Sequence, residues 1–490
     1  MAWIAIDAGT SVVKAVAFNA DGREIGLTRE RTEVLHPFAS ASEQSMTDVW
    51  QAAVRTAQKA AALLTEPLEG IAITAQGDGC WLVDEQGEPT GNALLWNDGR
   101  GATIVEQWRS SGAIENSYRA SGSVTYPGLS NTLLAWLTRN DPDRLHRSRH
   151  VLSCNGWLFS RLTGKFAADL SDASNPFCDL QSREYDDSIF ESYGLAEFRT
   201  ILPPIARGAD LSAPITAKAA NLLGVAAGTP VVMAPYDIVT TAYGAGVTNP
   251  GQACLILGTT ICAEAITTDL NRSGAPAGTT IALDDGQYLR AMPTLAGCET
   301  LEWAARLLHA ENLQTLETLA ASSVAGARNL LLLPYVSEAG ERSPFLDPEA
   351  SGSFHGLKLT HSREDMARAV YEGLTFAIRE CLTAAVGNMS ELRVCGGGAR
   401  SAFWCQLIAD VTGMRVLRPA ESEIGARGAF LFGLVITGRM RNVAHAAATL
   451  PTHFETFSPS PSCTLYEAAY KRFLTTRDAM RPLWPTQARS

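Results

Sequence analysis

The chain has 490 residues, 46% hydrophobic and 19% charged, with a formal net charge of -11. That length exceeds one compact core and leads us to expect two domains, while the composition excludes disorder as the main theme. The acidic balance is not gathered in a tail; it argues against a nucleic-acid partner and reads as a solvated surface.

The first residues lack a basic n-region and a long apolar core, and Asp7 interrupts them early, so no signal peptide is expected. No run of about 18 apolar residues occurs, so no membrane helix is expected. Ten cysteines without a C-x-x-C spacing point to reduced thiols in the cytosol. His146 and His150 have i,i+4 spacing. With arginines between them and no acidic or Cys partner nearby, they read as a surface pair rather than a zinc site.

The opening segment AWIAIDAGTSVVKAVAF, residues 2–18, reads as a buried strand, a polar bend from Asp7 to Ser11, and a second strand returning as a hairpin. Asp21-Gly22 is a turn leading to a third strand. Residues 46–64 have helical spacing, with Val49, Val54, Ala57 and Ala61 near one face. EGIAITAQGDG is a strand running into a loop that carries Gln76 and Asp78. WLVDEQGEPTG is a strand ended by a turn, and LLWNDGR adds Trp96, Asp98 and Arg100. Amides, carboxylates and Arg suit a polyhydroxylated ligand, and an indole packs on its carbon face. The alternative is surface-loop chemistry with a core Trp. Further on, a strand over 229–233 leads into APYDIVTTAYGAGV. Asp237 there suits either a catalytic position or a helix N-cap, and the residues alone favour the cap.

GQACLILGTTICAEAI, residues 251–266, repeats the opening plan with Gly258-Thr259-Thr260 at its bend. Each hairpin could begin its own domain, with the boundary in GVTNPG, dividing the chain into 1–247 and 248–490. Late in the chain, ELRVCGGGARSAFWCQLIADVTG runs strand, Gly396-Gly397-Gly398, helix. Phe403, Leu407, Ile408 and Val411 give that helix an apolar face, and Ser401 is placed as its N-cap. Three glycines in a row exceed the needs of a tight turn and favour ligand contact. Neither G-x-G-x-x-G nor a P-loop is present. Two hydroxyl-bearing bends could supply N–H and hydroxyl groups to phosphates from both sides. Asp7 could hold Mg²⁺ through water, Lys14 could add charge, and the third bend could take a nucleoside.

In order and spacing, these pieces resemble the FGGY family of carbohydrate kinases. IDAGTSVVKAVAF resembles the first phosphate hairpin and LGTT the second. WNDGR is similar to the substrate loop, DLSDAS (169–174) to a family segment, and YDIVTTAYGAGV to the catalytic-Asp segment. LPYVSEAGERSPFLDPEASGSFHGL (333–357) is similar to a long signature, and VCGGGARSAFWCQLIADVTG to the adenosine motif. The resemblance implies an α/β fold of two duplicated actin-like (ribonuclease H-like) domains around a central nucleotide cleft. It makes Asp237 the general base rather than a cap. It implies acceptor binding by Gln76, Gly77, Asp78, Trp96, Asp98, Arg100 and Asp237. It implies ATP binding by Gly9, Thr10, Ser11, Lys14, Gly258, Thr259, Thr260, Gly297, Gly397, Gly398, Ala399 and Ser401, and a Mg²⁺ ion at Asp7. The implied reaction is phosphorylation of a primary hydroxyl on a small linear polyol or ketose in the cytoplasm, by an enzyme for which a homodimer is plausible by family. Relatives acting on D-xylulose typically carry Met-His where this chain has Gly77-Asp78, and many have Gly where Tyr236 precedes the Asp. The QGDG loop and first hairpin lean towards erythritol kinases, whereas YDIVTTA and WNDGR lean towards xylulose and L-xylulose kinases. A nucleotide-dependent switch or chaperone of the actin-like superfamily is the rival reading. A sugar-binding regulator is a second, opposed by the intact Asp7, Lys14, Asp237 and Gly398 and by the lack of a DNA-binding segment.

Overall fold

The computed structural model describes residues 2–484, apart from 271, 273–274, 284–285, 387–388, 422 and 451. Its first sheet grows from β1 (Ala2–Ala8), β2 (Val12–Phe18) and β3 (Glu24–Arg31), an antiparallel meander. β4 (Leu68–Ala75) joins β1 in parallel, and β6 (Pro230–Met233) joins β4 in parallel; β5 (Ser212–Pro214) closes that edge, antiparallel to β6. The order is β5-β6-β4-β1-β2-β3. β1 sits centrally, covered on both faces, which is why it reads as an almost unbroken apolar run. Asp7 is its one side chain not fully buried.

The second sheet repeats this plan. β7 (Gln252–Leu257), β8 (Ile261–Thr267) and β10 (Tyr288–Pro293) form the meander. β11 (Glu391–Cys395) and β12 (Arg415–Pro419) extend it in parallel from β7. β9 (Thr279–Ala282) and β13 (Phe454–Phe457) are antiparallel edges. With β9 and β13 set aside, β10-β8-β7-β11-β12 matches β3-β2-β1-β4-β6 strand for strand. The duplication anticipated from the two hairpins is therefore real at the level of topology.

Helix α1 (Met46–Ala61) lies on the first sheet through Val49, Ala53, Ala57 and Ala60. It ends three residues earlier than the spacing suggested, and Ser45 caps it by accepting from the Asp48 N–H at 3.2 Å. Four further helices matter for the site: α2 (Asp237–Gly244), α3 (Cys298–Leu307), α4 (Arg363–Ala385) and α5 (Ala402–Thr412). A fifth, α6 (Ile424–Ile436), belongs to the second half of the sequence yet packs on the first sheet. Its Phe430 stacks on Phe18 at 4.8 Å between ring centroids and meets Trp3 edge-on at 6.3 Å. α6 also crosses α2 at close range. A Cβ on Gly428 would stand 1.8 Å from the Thr240 carbonyl oxygen, and one on Gly244 2.0 Å from that of Ile424. Only glycine permits such an approach. Arg427 ties the crossing by donating to the Gly244 carbonyl at 3.0 Å.

His146 lies in the short helix Pro142–Arg147 and His150 opens a strand, so the two share no helical face. Among the described residues no group of three His, Cys, Asp or Glu side chains is placed to hold a metal ion. All ten cysteines are free. No described helix is long and apolar enough to cross a membrane.

Candidate active site

Asp237 is the first residue of α2, and Tyr236 before it occupies the cap position. The aspartate is thus not the N-cap, and its carboxylate takes a hydrogen bond from the Ile238 N–H. Three buried polar side chains hold the segment before it. Thr74, at the end of β4, donates to the Pro235 carbonyl at 2.8 Å and meets the Thr240 hydroxyl at 2.9 Å. Asn155 donates to the Ala234 carbonyl at 2.6 Å. The Ser171 hydroxyl accepts from the Tyr236 N–H at 3.1 Å. Burial, with the negative charge of Asp7 next, pushes the Asp237 carboxyl up to about 8. A base tuned near the working pH is what proton abstraction from an alcohol needs.

Asp7 and Lys14 face each other across the first hairpin, 3.7 Å apart. Lys14 also pairs with Glu423 at 2.9 Å, just before α6. Burial raises the Asp7 carboxyl above its usual range, with Lys14 opposing and Glu423 reinforcing. A Cβ on Gly425 would stand 3.4 Å from Asp7 Oδ2, so the first turn of α6 closes on this carboxylate. A hard oxygen donor beside a helix N-terminus and a lysine suits a hydrated divalent cation together with phosphate.

Next to this group, Lys14, Arg29, Gly396, Gly397, Ala399, Arg400, Arg418 and Glu423 line a cavity of about 650 Å³. The three glycines do different things. A Cβ on Gly397 would meet nothing within 4 Å, whereas one on Gly398 would stand 2.8 Å from the Trp404 ring and 2.9 Å from Leu257 Cβ. Gly396 has φ +88° and presses on the Leu257 backbone. Only Gly397 keeps the open character that the triplet suggested. Ser401 caps α5, accepting from the Trp404 N–H at 2.9 Å. The Ala399 carbonyl accepts from Arg418 at 2.8 Å.

Each bend is closed by the N–H of its glycine, over three residues in the first and two in the second. Gly9 N–H donates to the Val12 carbonyl and Gly258 N–H to that of Thr260, each at 3.1 Å. Gly297, before α3, packs on the second bend, where a Cβ would meet the Thr259 carbonyl oxygen at 2.4 Å. Ser11 and Thr259 are exposed, and Thr260 is half-buried. The Thr10 hydroxyl, by contrast, is engaged: it donates to Gln76 Oε1 at 2.7 Å and accepts from Trp96 Nε1 at 3.0 Å.

Asp78 takes a hydrogen bond from the Tyr126 hydroxyl and another from Asn175 at 3.0 Å. Burial raises its carboxyl. Trp96 is half-buried. Gln76, Asp98 and Arg100 do not open to the cleft. Gln76 is engaged with Thr10 and with Gln44 at 2.8 Å. Asp98 accepts from the Ser42 N–H at 2.8 Å and from Arg100 at 2.9 Å, and Arg100 reaches Glu43 at 2.7 Å. The Arg100 guanidinium lies between Phe38 and Trp136, and its side chain is 3% exposed. These three brace the loops that carry Thr10, Trp96 and Asp78 through protein partners.

The profile described as the FGGY family of carbohydrate kinases, N-terminal domain, matches residues 2–244, and its C-terminal counterpart matches 253–436. The chain belongs to the FGGY family of carbohydrate kinases. It is 31% identical to the L-xylulose/3-keto-L-gulonate kinase of Escherichia coli K12, over 96% of this chain and 95% of that one. It is 32% identical to the erythritol kinase of Brucella abortus, over 98% and 96%. The ligand-bound xylulose kinase of Lactobacillus acidophilus superposes with a TM-score of 0.93 over 99% of both chains, at 21% identity, a likeness of fold.

As an FGGY kinase, the protein is a sugar or polyol phosphotransferase, and the family implies ATP as donor. Several residues around the site escaped sequence reading: Thr74, Asn155, Arg29, Arg418 and Glu423. Tyr126 and Arg342 also belong here, because the Arg342 guanidinium lies 5.0 Å from the Tyr126 ring centroid and 5.9 Å from that of Trp96. Only Ser171 and Arg342 carried a signal, lying in the DLSDAS and GERSP stretches of family-like segments.

Proposed function

We propose that this enzyme transfers the γ-phosphoryl group of ATP to a primary hydroxyl of a small linear polyol or ketose, erythritol-like or xylulose/L-xylulose-like. The names of its erythritol and L-xylulose kinase relatives support that range. The observation that carries the reading is Asp237. It stands at the start of α2, braced by Thr74, Asn155 and Ser171, within electrostatic reach of Asp7 and Lys14 on one side and Asp78 on the other.

Asp237 takes the proton as the acceptor oxygen attacks phosphorus, the bond to the ADP oxygen breaks, and ADP departs. Lys14 and the N–H groups of the two bends offset charge on the phosphates. Mg²⁺, held by Asp7 through water, would add to that charge stabilisation. Closure of two units, taken as 1–247 and 248–490, would keep water from competing as acceptor. Residues 485–490 of the second unit lie outside the described residues. The reaction belongs in the cytoplasm, where ATP and free sugars meet.

The test is ADP release measured over a panel of tetritols, pentitols, ketopentoses and keto acids. Turnover that requires one of them supports the kinase. Equal ATPase activity with every sugar and with none would instead favour a nucleotide-dependent switch.

A further inference from the structure

Arg342 is contributed by the second half of the chain yet faces the acceptor residues of the first. The loop that carries it is tightly built. Glu341 is 2% exposed, and its carboxylate accepts from the Leu295 and Arg342 N–H groups, each at 2.8 Å. Glu341 and Asp347 also pair through their backbones at 2.8 and 2.9 Å. The guanidinium is held at one corner, where Nε donates to the Pro293 carbonyl at 3.1 Å. The guanidinium carbon lies over the Tyr126 ring and, farther off, that of Trp96, and the group is close enough to the Tyr126 hydroxyl to hydrogen bond. Tyr126 in turn donates to Asp78. A chain of polar contacts therefore runs from Arg342, on one side of the cleft, to Asp78 on the other.

A guanidinium has five N–H groups in a planar fork. Pro293 and Tyr126 take two of them, and the carboxylates of Asp78 and Glu341 reach Arg342 only through longer-range electrostatics. The remaining edge suits an oxygen with in-plane lone pairs. We propose that Arg342 is an acceptor-specificity residue, reading a carbonyl or carboxylate oxygen of the acceptor and delivering that contact from the second domain. The inference rests on the kinase reading above. Because the cation comes from the second half of the chain, a ketose or keto acid adds a contact between sides already linked through Tyr126, whereas a simple polyol offers the fork a poorer partner.

The experiment compares wild type, Arg342→Ala and Arg342→Lys over erythritol, the ketopentoses and a keto-hexonate, with melting temperature as the control for folding. In Arg342→Ala, KM for the ketose or keto acid should rise at least about tenfold, with KM for ATP within about twofold of wild type. The loss in kcat/KM should be smaller for erythritol. Arg342→Lys restores charge without the fork and should recover only part. Tyr126→Phe should show a milder rise in the same KM, because the fork loses its brace and not its charge. Unchanged acceptor KM in Arg342→Ala, or parallel rises for ATP and acceptor, would overturn this assignment while leaving the kinase intact. A wild type that phosphorylates nothing on the panel would remove the kinase reading and this inference with it.

Discussion

The ring of Tyr236 occupies the space that a side chain at position 77 would need. A Cβ on Gly77 would stand 2.3 Å from Tyr236 Cδ2 and 2.5 Å from Cε2. The absence of a side chain at residue 77 and the ring at residue 236 are therefore one packing solution seen from both sides. Residue 236, which carries the bulk, stands next to Asp237, the base proposed above. Gly77→Ala should lower the melting temperature and cut turnover, and adding Tyr236→Gly should recover much of both. The coupling should reach about 0.5–3 kcal/mol in a double-mutant cycle followed by thermal melts. Additive single effects would mean that the two positions are independent.

Asp237→Asn should reduce kcat by roughly 10²–10⁴-fold while ATP still binds, as read by nucleotide titration calorimetry. Near-normal turnover would remove Asp237 from the base role.

The same carboxyl makes a prediction about pH. Its folded value is about 8, against 3.8 in a free chain. The folded state therefore holds a proton that the unfolded chain has already released, and this contribution to stability is full at acid pH and is lost as pH rises through about 8. Asparagine does not titrate. Asp237→Asn should thus melt above wild type, by a gap that widens between about pH 4 and pH 8. A gap independent of pH would place the titration elsewhere.

The two outer glycines of the late triplet should part company with the middle one. Gly398→Ala drives a methyl group into Trp404, Leu257 and Cys298 and should cost about 1–3 kcal/mol of stability in denaturant melts. Gly397→Ala meets nothing, so its melt should match wild type while KM for ATP rises.

Metal removal should stop turnover, and Mg²⁺ should restore it. Asp7→Asn should need several-fold more Mg²⁺ for half-maximal rate, because the cleft loses a hard oxygen donor. Rates indifferent to chelator would exclude the ion from the reaction.

Much of the scaffold could be read from the chain because its signals are local. A central strand must be apolar on both faces, so β1 announces itself, and an acid at its end stands out. The second hairpin repeats that arrangement, and the doubled sheet follows. The acceptor loops were harder. Asp98 and Arg100 are the residue types a sugar site uses, but the same types also satisfy each other inside a fold, and only three dimensions separate the two cases. Ser171 braces Tyr236 across 65 positions and Asn155 reaches Ala234 across 79, distances over which no periodicity in a single sequence carries information.

The crossing of α2 and α6 bears on how relatives of this enzyme can be recombined. A chimera joined at residue 247 would take α2 from one parent and α6 from the other. Gly244 and Gly428 would then come from different parents, at a contact where one added methyl group strikes backbone. Acceptor preference is therefore more safely transplanted by moving the first half together with residues 424–436 and the loop that carries Arg342 than by exchanging halves at the midpoint of the sequence.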